Sequence, residues 1–267
     1  MLTLLKYLPK RFISRLTGWL VHLRLPEPLR VKSLEWFANH YKINLQEAEM
    51  PLMSYPHIGA LFARRLKPGL RRIKGLIVHP VDGTLTERGV ITDGMALQVK
   101  GYIYSVAELI ADAEKARSLE KGHFLTYYLC PTDYHRVHSP LGGQIRSALH
   151  VPGTLWPVNE ESVQKIKELF LVNERLVIHL DTAQGSVFVV MVGATNVGQM
   201  TASFDSSIVT NRGRWSLRKD YSKPIPVQVG DELGIFHMGS TVVVLYPPGV
   251  LKDLPVSGSV QWGEAVQ

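Results

Sequence analysis

A chain of 267 residues with 45% hydrophobic side chains and 22 glycines can bury a substantial core, and it is too apolar for a disordered or collagen-like protein. Its one cysteine, Cys130, excludes an intrachain disulfide framework and a cysteine-based zinc site, and suits a reducing compartment. The net charge of +7 is uneven, with 14 Lys/Arg against 4 acids in residues 1–75 and a balance of −3 beyond them, so the N-terminal third suits an anionic surface, nucleic acid or membrane.

The apolar pattern favours the membrane. Over residues 3–23, Leu5, Leu8, Phe12, Leu16, Trp19 and Leu23 recur at three- and four-residue spacing, while Lys10, Arg11, Ser14, Arg15 and Thr17 lie off that stripe. The spacing predicts an amphipathic helix lying in the membrane interface, limited to its later part by Pro9. An ordinary helix packed on the body would show the same periodicity. No uncharged run reaches the roughly 18–20 residues that cross a bilayer, and Lys6, Lys10, Arg11 and Arg15 interrupt any signal-peptide core.

Pro26 and Pro28 break the chain before a second helical pattern, Val31 to His40, with Leu34, Trp36 and Phe37. A third, His57 to Arg65, runs into Arg64-Arg65-Leu66-Lys67-Pro68-Gly69, and Arg71, Arg72 and Lys74 extend the basic cluster. That cluster reads either as a solvated loop or as a contact for phosphate head groups. From Gly75 onward the pattern changes to short apolar runs between glycines. Strands are expected at Leu76–Val78, Phe124–Cys130, Val177–Leu180, Ser186–Val192 and Thr241–Leu245. Ser105 and Glu108 form a capping box, and Asn159 caps a helix expected to run to Leu169. Val229–Gly234 reads as a hairpin turn feeding the strand ahead of Gly239. The fold class is therefore α+β: a predominantly antiparallel β body over 75–267, preceded by a helical, basic, membrane-associating segment over 1–74.

Three polar positions stand out. Asp82 lies in His79-Pro80-Val81-Asp82-Gly83-Thr84, where Asp-Gly is also an ordinary turn. His135 and His138 lie in Tyr134-His135-Arg136-Val137-His138-Ser139-Pro140, and each alone reads equally as a hydrogen-bonded loop residue. Pro140 disfavours a helical His-x-x-His pair, and no further ligand cluster accompanies the two histidines, so no metal site is expected. Ser240, in Met238-Gly239-Ser240-Thr241, enters the apolar run Val242–Leu245 directly after a glycine. Such a hydroxyl is placed to attack the carbonyl of its own preceding peptide bond, although Gly-Ser-Thr by itself is common turn chemistry. Asp82, His138 and Ser240 together supply an orienting carboxylate, a base and a nucleophile.

Motifs throughout the chain carry a resemblance: Phe37-Ala-Asn-His-Tyr41, Arg64-Arg-Leu-Lys-Pro-Gly69, Pro80-Val-Asp-Gly83, Tyr134-His-Arg-Val-His138, Pro152-Gly-Thr-Leu155, Pro157-Val-Asn159, Val192-Gly-Ala-Thr195 and Met238-Gly-Ser-Thr241. The chain resembles the bacterial phosphatidylserine decarboxylases, pyruvoyl-dependent enzymes made from self-cleaving precursors. Met238 stands where the family usually has leucine, and Trp156 where it commonly has phenylalanine.

The resemblance implies cleavage between Gly239 and Ser240 by serinolysis, with His138 as the base and Asp82 holding its imidazole. Ser240 becomes a covalent pyruvoyl group, which forms a Schiff base with phosphatidylserine and yields phosphatidylethanolamine and CO₂. His135 is assigned to positioning the substrate carboxylate or delivering a proton. The implied partners are phosphatidylserine, an anionic membrane surface and the second cleavage fragment, with a homodimer of fragment pairs and no nucleic acid. The implied location is peripheral, on the cytoplasmic face of the cell membrane. A serine hydrolase of lipid esters would use the same three residues, but the chain lacks a Gly-x-Ser-x-Gly elbow. A lipid-recognising β domain without activity would have no need of the maturation residues.

Overall fold

The computed structural model describes residues 10–99, 101–195, 199–211, 216–237 and 240–266, with the backbone alone for Arg11 and Ser240. Three helices come first, α1 (Lys10–Val21), α2 (Glu27–His40) and α3 (Ile58–Phe62). Helix α1 is described from Lys10 onward, and Pro9, expected to limit it, lies outside the described residues. Pro26 and Pro28 do not delay α2 until Val31. Its first turn has no use for those N–H groups, so the prolines sit at its start. His57 caps α3, its Nδ1 accepting the Ala60 N–H at 3.1 Å. Leu34, Phe37, Tyr55, Leu61 and Phe62 pack into a small apolar cluster of their own.

Helix α1 has its apolar side turned outward. Phe12 is 65% exposed and Trp19 61%, with Leu16 and Leu20 exposed beside them. The polar side meets the body instead: Lys10 Nζ lies 3.6 Å over the Trp156 ring, Ser14 is buried, and Arg15 Nε donates to the Asn211 carbonyl at 3.1 Å. The stripe predicted from sequence exists over Phe12, Leu16 and Trp19, and it is not what packs the helix on the body. Leu5 and Leu8 lie outside the described residues.

The body is built from thirteen described strands: β1 (Gly83–Val90), β2 (Met95–Val99), β3 (Tyr102–Ser105), β4 (His123–Leu129), β5 (Arg136–His138), β6 (Gly143–Val151), β7 (Arg175–Thr182), β8 (Gly185–Gly193), β9 (Met200–Ala202), β10 (Leu217–Val227), β11 (Glu232–Phe236), β12 (Ser240–Tyr246) and β13 (Gly258–Val260). Eight of them form one sheet in the order β10-β6-β7-β8-β12-β4-β1-β13, and every pair in it is antiparallel. Strand β12 lies inside this sheet, and its Val242, Val243, Val244, Leu245 and Tyr246 are wholly buried. Burial on both faces explains an unbroken apolar run instead of an alternating one, at about 1.5–3 kcal/mol per aliphatic side chain. A second sheet, β5-β11-β9, and the hairpin β2-β3 complete the body.

The N-caps predicted at Ser105 and Asn159 are present, accepting from the N–H groups of Glu108 and Ser162. The helix after Asn159 stops at Lys165, short of Leu169, and a separate turn of helix covers Leu169–Val172. Leu76–Val78 forms no strand: only Val78 bridges, to Ala265, and Leu76 is 89% exposed. The turn at Val229–Gly230 does not close a hairpin, because β10 joins the large sheet and β11 the small one.

Candidate active site

The candidate residues gather at one end of the large sheet. Ser240 opens β12 with its backbone between Leu129 of β4 and Gly193 of β8. On the other side of β4, Thr84 pairs with Tyr128, so Gly83 flanks the same strand end. Two strand spacings, about 10 Å, therefore separate the backbones at 240 and 83. Gly83 permits this approach, since a Cβ there would lie 2.5 Å from the Tyr128 carbonyl oxygen. Gly239 lies outside the described residues, and Ser240 is located by its backbone.

Asp82 precedes Gly83, and its carboxylate is already engaged. Arg71 donates to Oδ2 at 2.6 Å and to Oδ1 at 3.4 Å, and the Trp262 N–H donates to Oδ1 at 2.9 Å. Arg71 also donates to Glu47 at 3.0 Å, and its side chain is only 7% exposed. This corrects part of the sequence reading, because Arg71 belongs to an inward ion-pair network and is not a surface contact for head groups. Arg64 is likewise buried, donating to the carbonyls of Thr132 and Asp133 at 3.0 and 3.3 Å. Lys74 pairs with Glu264 at 3.2 Å. Arg65, Lys67 and Arg72 remain exposed.

His138 ends β5, and its backbone N–H donates to the Pro80 carbonyl at 2.8 Å, which ties it to the Asp82 segment. Its Nδ1 donates to the Gly230 carbonyl at 2.7 Å. Gly230 supplies that oxygen from a turn at φ +84°, where a side chain would be strained. Because Nδ1 faces a carbonyl it carries the proton, leaving Nε2 with the lone pair, to which Tyr134 Oη donates at 3.0 Å. The imidazole stacks on Trp262 at 3.9 Å with 5° between planes. Burial lowers the pKa of His138, countered by the Gly230 hydrogen bond and the nearby Glu232 and Asp82 charges, so the neutral base is the resting form.

No hydrogen bond joins Asp82 to His138 among the described residues. Trp262 stands between them, its backbone N–H on the carboxylate and its indole face on the imidazole. The carboxylate acts on the imidazole through space, and the Gly230 carbonyl fixes the tautomer.

His135 is wholly buried against Phe62, with ring centroids 4.0 Å apart. Its Nδ1 donates to the Asp133 carbonyl at 2.9 Å, and its Nε2 has no partner among the described residues. Desolvation pushes its pKa down to about 3. Its carbonyl accepts, at 2.9 Å, the N–H of Phe236, which lies four residues ahead of Ser240 in the sequence. His237 is similar: Nε2 meets Thr201 Oγ1 at 3.1 Å, Nδ1 is buried without a partner, and burial brings its pKa to about 4. His135 and His237 thus each hold a buried imidazole nitrogen with no partner among the described residues, and His237 is three residues ahead of Ser240. No group of three or more His, Cys, Asp or Glu side chains able to hold a metal occurs among the described residues.

Sequence reasoning missed the supporting residues Trp262, Gly230, Tyr134, Glu47 and Asn173. Buried Asn173 donates to the carbonyls of Trp156 and Gly193, both at 2.9 Å, and so steadies the strand beside Ser240. Tyr134 and Gly230 lie in segments the sequence had marked, Gly230 only as part of a turn. Trp262, Glu47 and Asn173 come from other parts of the chain and carry no local pattern.

The buried histidines give the fold a pH dependence. His79, His179 and His237 have pKa values of about 4 and His135 about 3, each lowered mainly by desolvation. Between pH 6.5 and 4 the unfolded chain binds protons on these groups that the native chain does not. Their contribution to stability is complete above 6.5 and is lost as pH falls toward 4. Melting temperature is expected to drop steeply across that window, and a flat profile would contradict the neutral, buried assignment.

Comparison with known proteins places this sequence in a family. The sequence pattern of the family described as "Phosphatidylserine decarboxylase" matches residues 58–267. The chain is 46% identical over 250 residues to a "Phosphatidylserine decarboxylase proenzyme" of Anaeromyxobacter sp. (strain K), covering 92% of this chain and 88% of the relative. Proteins of the same description are similar to it from Myxococcus xanthus, 42% identical over 248 residues (92% and 88%), and Marinobacter nauticus, 36% over 268 residues (96% and 93%).

Proposed function

The chain belongs to the phosphatidylserine decarboxylase family and is a decarboxylase, and from that premise we propose that it cuts its own Gly239–Ser240 bond and decarboxylates phosphatidylserine through a pyruvoyl group at residue 240. The observation that carries this reading is the convergence of Asp82, neutral His138 and the start of β12 at one sheet end.

In the precursor, Tyr134 Oη yields the His138 Nε2 lone pair, which takes the Ser240 hydroxyl proton as Oγ bonds to the Gly239 carbonyl carbon; the imidazolium then returns that proton to the amide nitrogen as the C–N bond breaks. The ester so formed leaves residue 240 with a free amine. Removal of its Cα proton expels the Gly239 carboxylate, and water then replaces the amine, releasing ammonia and leaving a ketone. That ketone supplies an electrophile for the substrate amine and a sink for the electron pair left when CO₂ departs.

His135 is the proposed partner of the substrate carboxylate. With Nδ1–H on the Asp133 carbonyl, its Nε2 is a bare lone pair at rest. It must gain a proton before returning one, and an incoming carboxylate favours that by raising its pKa. The two fragments are held together by β12, which heads the smaller one and pairs on both sides with strands of the larger.

We place the protein peripherally on the cytoplasmic face of the cell membrane, with the outward face of α1 seated among lipids. Among the described residues no helix is long and apolar enough to cross a membrane. Phe12, Leu16 and Trp19 supply the apolar contact, and nearby Lys/Arg add roughly 1 kcal/mol each on anionic lipid. The test is to incubate purified protein with vesicles containing carboxyl-labelled phosphatidylserine. Labelled CO₂ is expected, together with sedimentation of the protein with the vesicles. Deleting residues 1–25, or Phe12→Asp with Trp19→Asp, is expected to move most of it to the supernatant. Undiminished sedimentation would remove α1 as the anchor.

A further inference from the structure

A cavity of about 360 Å³ lies between helix α1 and the segment leading into Ser240. Arg15, Trp19 and His22 line it from the N-terminal side, and Gln199, Asn211 and His237 from the body. Among its described lining residues none is acidic, and the one full charge is the guanidinium of Arg15. Arg15 Nε is tied to the Asn211 carbonyl at 3.1 Å, which fixes the planar fork on the cavity. His237 lines the same cavity from the body, and its buried Nδ1 has no partner among the described residues. A cavity of this volume with a fixed guanidinium and no carboxylate among its described lining residues is suited to a small anion.

Its position says which anion. His237 is three residues ahead of Ser240, and three residues of chain reach at most about 11 Å. Trp19 borders the cavity and also belongs to the exposed apolar face of α1. A lipid with its acyl chains along that face and its amine at residue 240 must carry its phosphate between the two. We propose that this cavity receives the phosphodiester of the phosphatidylserine head group and that Arg15 binds it. The proposal rests on the decarboxylase reading, and its test separates the two.

Fully processed protein in neutral detergent micelles, where surface attraction to anionic lipid is absent, is titrated calorimetrically with glycerophosphoethanolamine, ethanolamine and inorganic phosphate. Wild type is expected to bind the phosphodiester at least about tenfold more tightly than ethanolamine, as a charged hydrogen bond of this kind implies. Arg15→Ala and Gln199→Glu should each erase that preference, and Arg15→Lys should keep part of it. With dihexanoyl phosphatidylserine the same two losses should appear as a KM raised about tenfold with kcat within about twofold, and chain cleavage unchanged. A preference that survives in Arg15→Ala overturns the proposal, and so does Arg15-dependent binding of inorganic phosphate as tight as that of the phosphodiester, which would mark a general anion site. Wild type that turns over dihexanoyl phosphatidylserine while either of these holds leaves the decarboxylase reading intact. Wild type that neither cleaves nor releases CO₂ overturns both.

Discussion

Ser240→Ala is expected to yield one uncut chain with no measurable decarboxylation, a loss larger than any other single change should cause. The loss has two independent sources. Alanine has no oxygen to bond to the Gly239 carbonyl carbon, so the peptide bond remains, and it has no route to a ketone, so the substrate amine meets no electrophile. The folded body should survive, because position 240 is the first residue of β12 and the buried run Val242–Tyr246 behind it is untouched. Circular dichroism and melting temperature close to wild type, with a single band on a denaturing gel, are the expected results. Processing of this variant at a normal rate would require a different nucleophile.

His138→Ala should slow cleavage by about 10²- to 10⁴-fold, the usual contribution of a positioned general base. The pH dependence of wild-type cleavage has a definite sign. His138 works as the neutral base, and burial lowers its pKa below the ordinary 6.5. The rate should therefore hold on acidification to about pH 6.5 and fall only below it, as the imidazole takes a proton. Asp82→Asn is expected to differ from His138→Ala in kind. The carboxylate holds Arg71 and the Trp262 N–H, and does not bond the imidazole. Asparagine there leaves a buried guanidinium with Glu47 as its remaining carboxylate partner, which should cost stability as well as slow cleavage. Cleavage measured beside melting temperature distinguishes the two variants: His138→Ala should change mainly the rate, Asp82→Asn both. Normal processing in both would remove them from the proposed machinery.

How much of this could be read from sequence depended on whether the signal was local. Strand β12 was legible because four consecutive aliphatic residues after a glycine have few other uses, and the caps at Ser105 and Asn159 because capping is a relation over three residues. Leu76–Val78 looked equally strand-like, yet no neighbouring chain pairs with it beyond the bridge at Val78, and apolarity alone cannot report a missing partner. Arg71 was misread for a related reason. In a run of basic residues nothing local distinguishes the one that turns inward, since its partners Asp82 and Glu47 lie 11 and 24 residues away. Asp82, His135 and His138 stood out through their neighbours, while Trp262 and Gly230, which set the environment of His138, are made relevant only by the closing of the sheet. The stripe on α1 was visible from its spacing, but that its polar side meets the body follows only from Lys10 on Trp156 and Arg15 on Asn211.

The intact mass of the purified protein, taken with and without hydrazine, tests self-processing most directly. The expected result is two chains meeting between residues 239 and 240, the smaller lacking a free N-terminal amine and gaining one hydrazone. A single chain of 267 residues that remains uncut under native conditions and takes up no hydrazine, yet still releases CO₂ from phosphatidylserine, would contradict it.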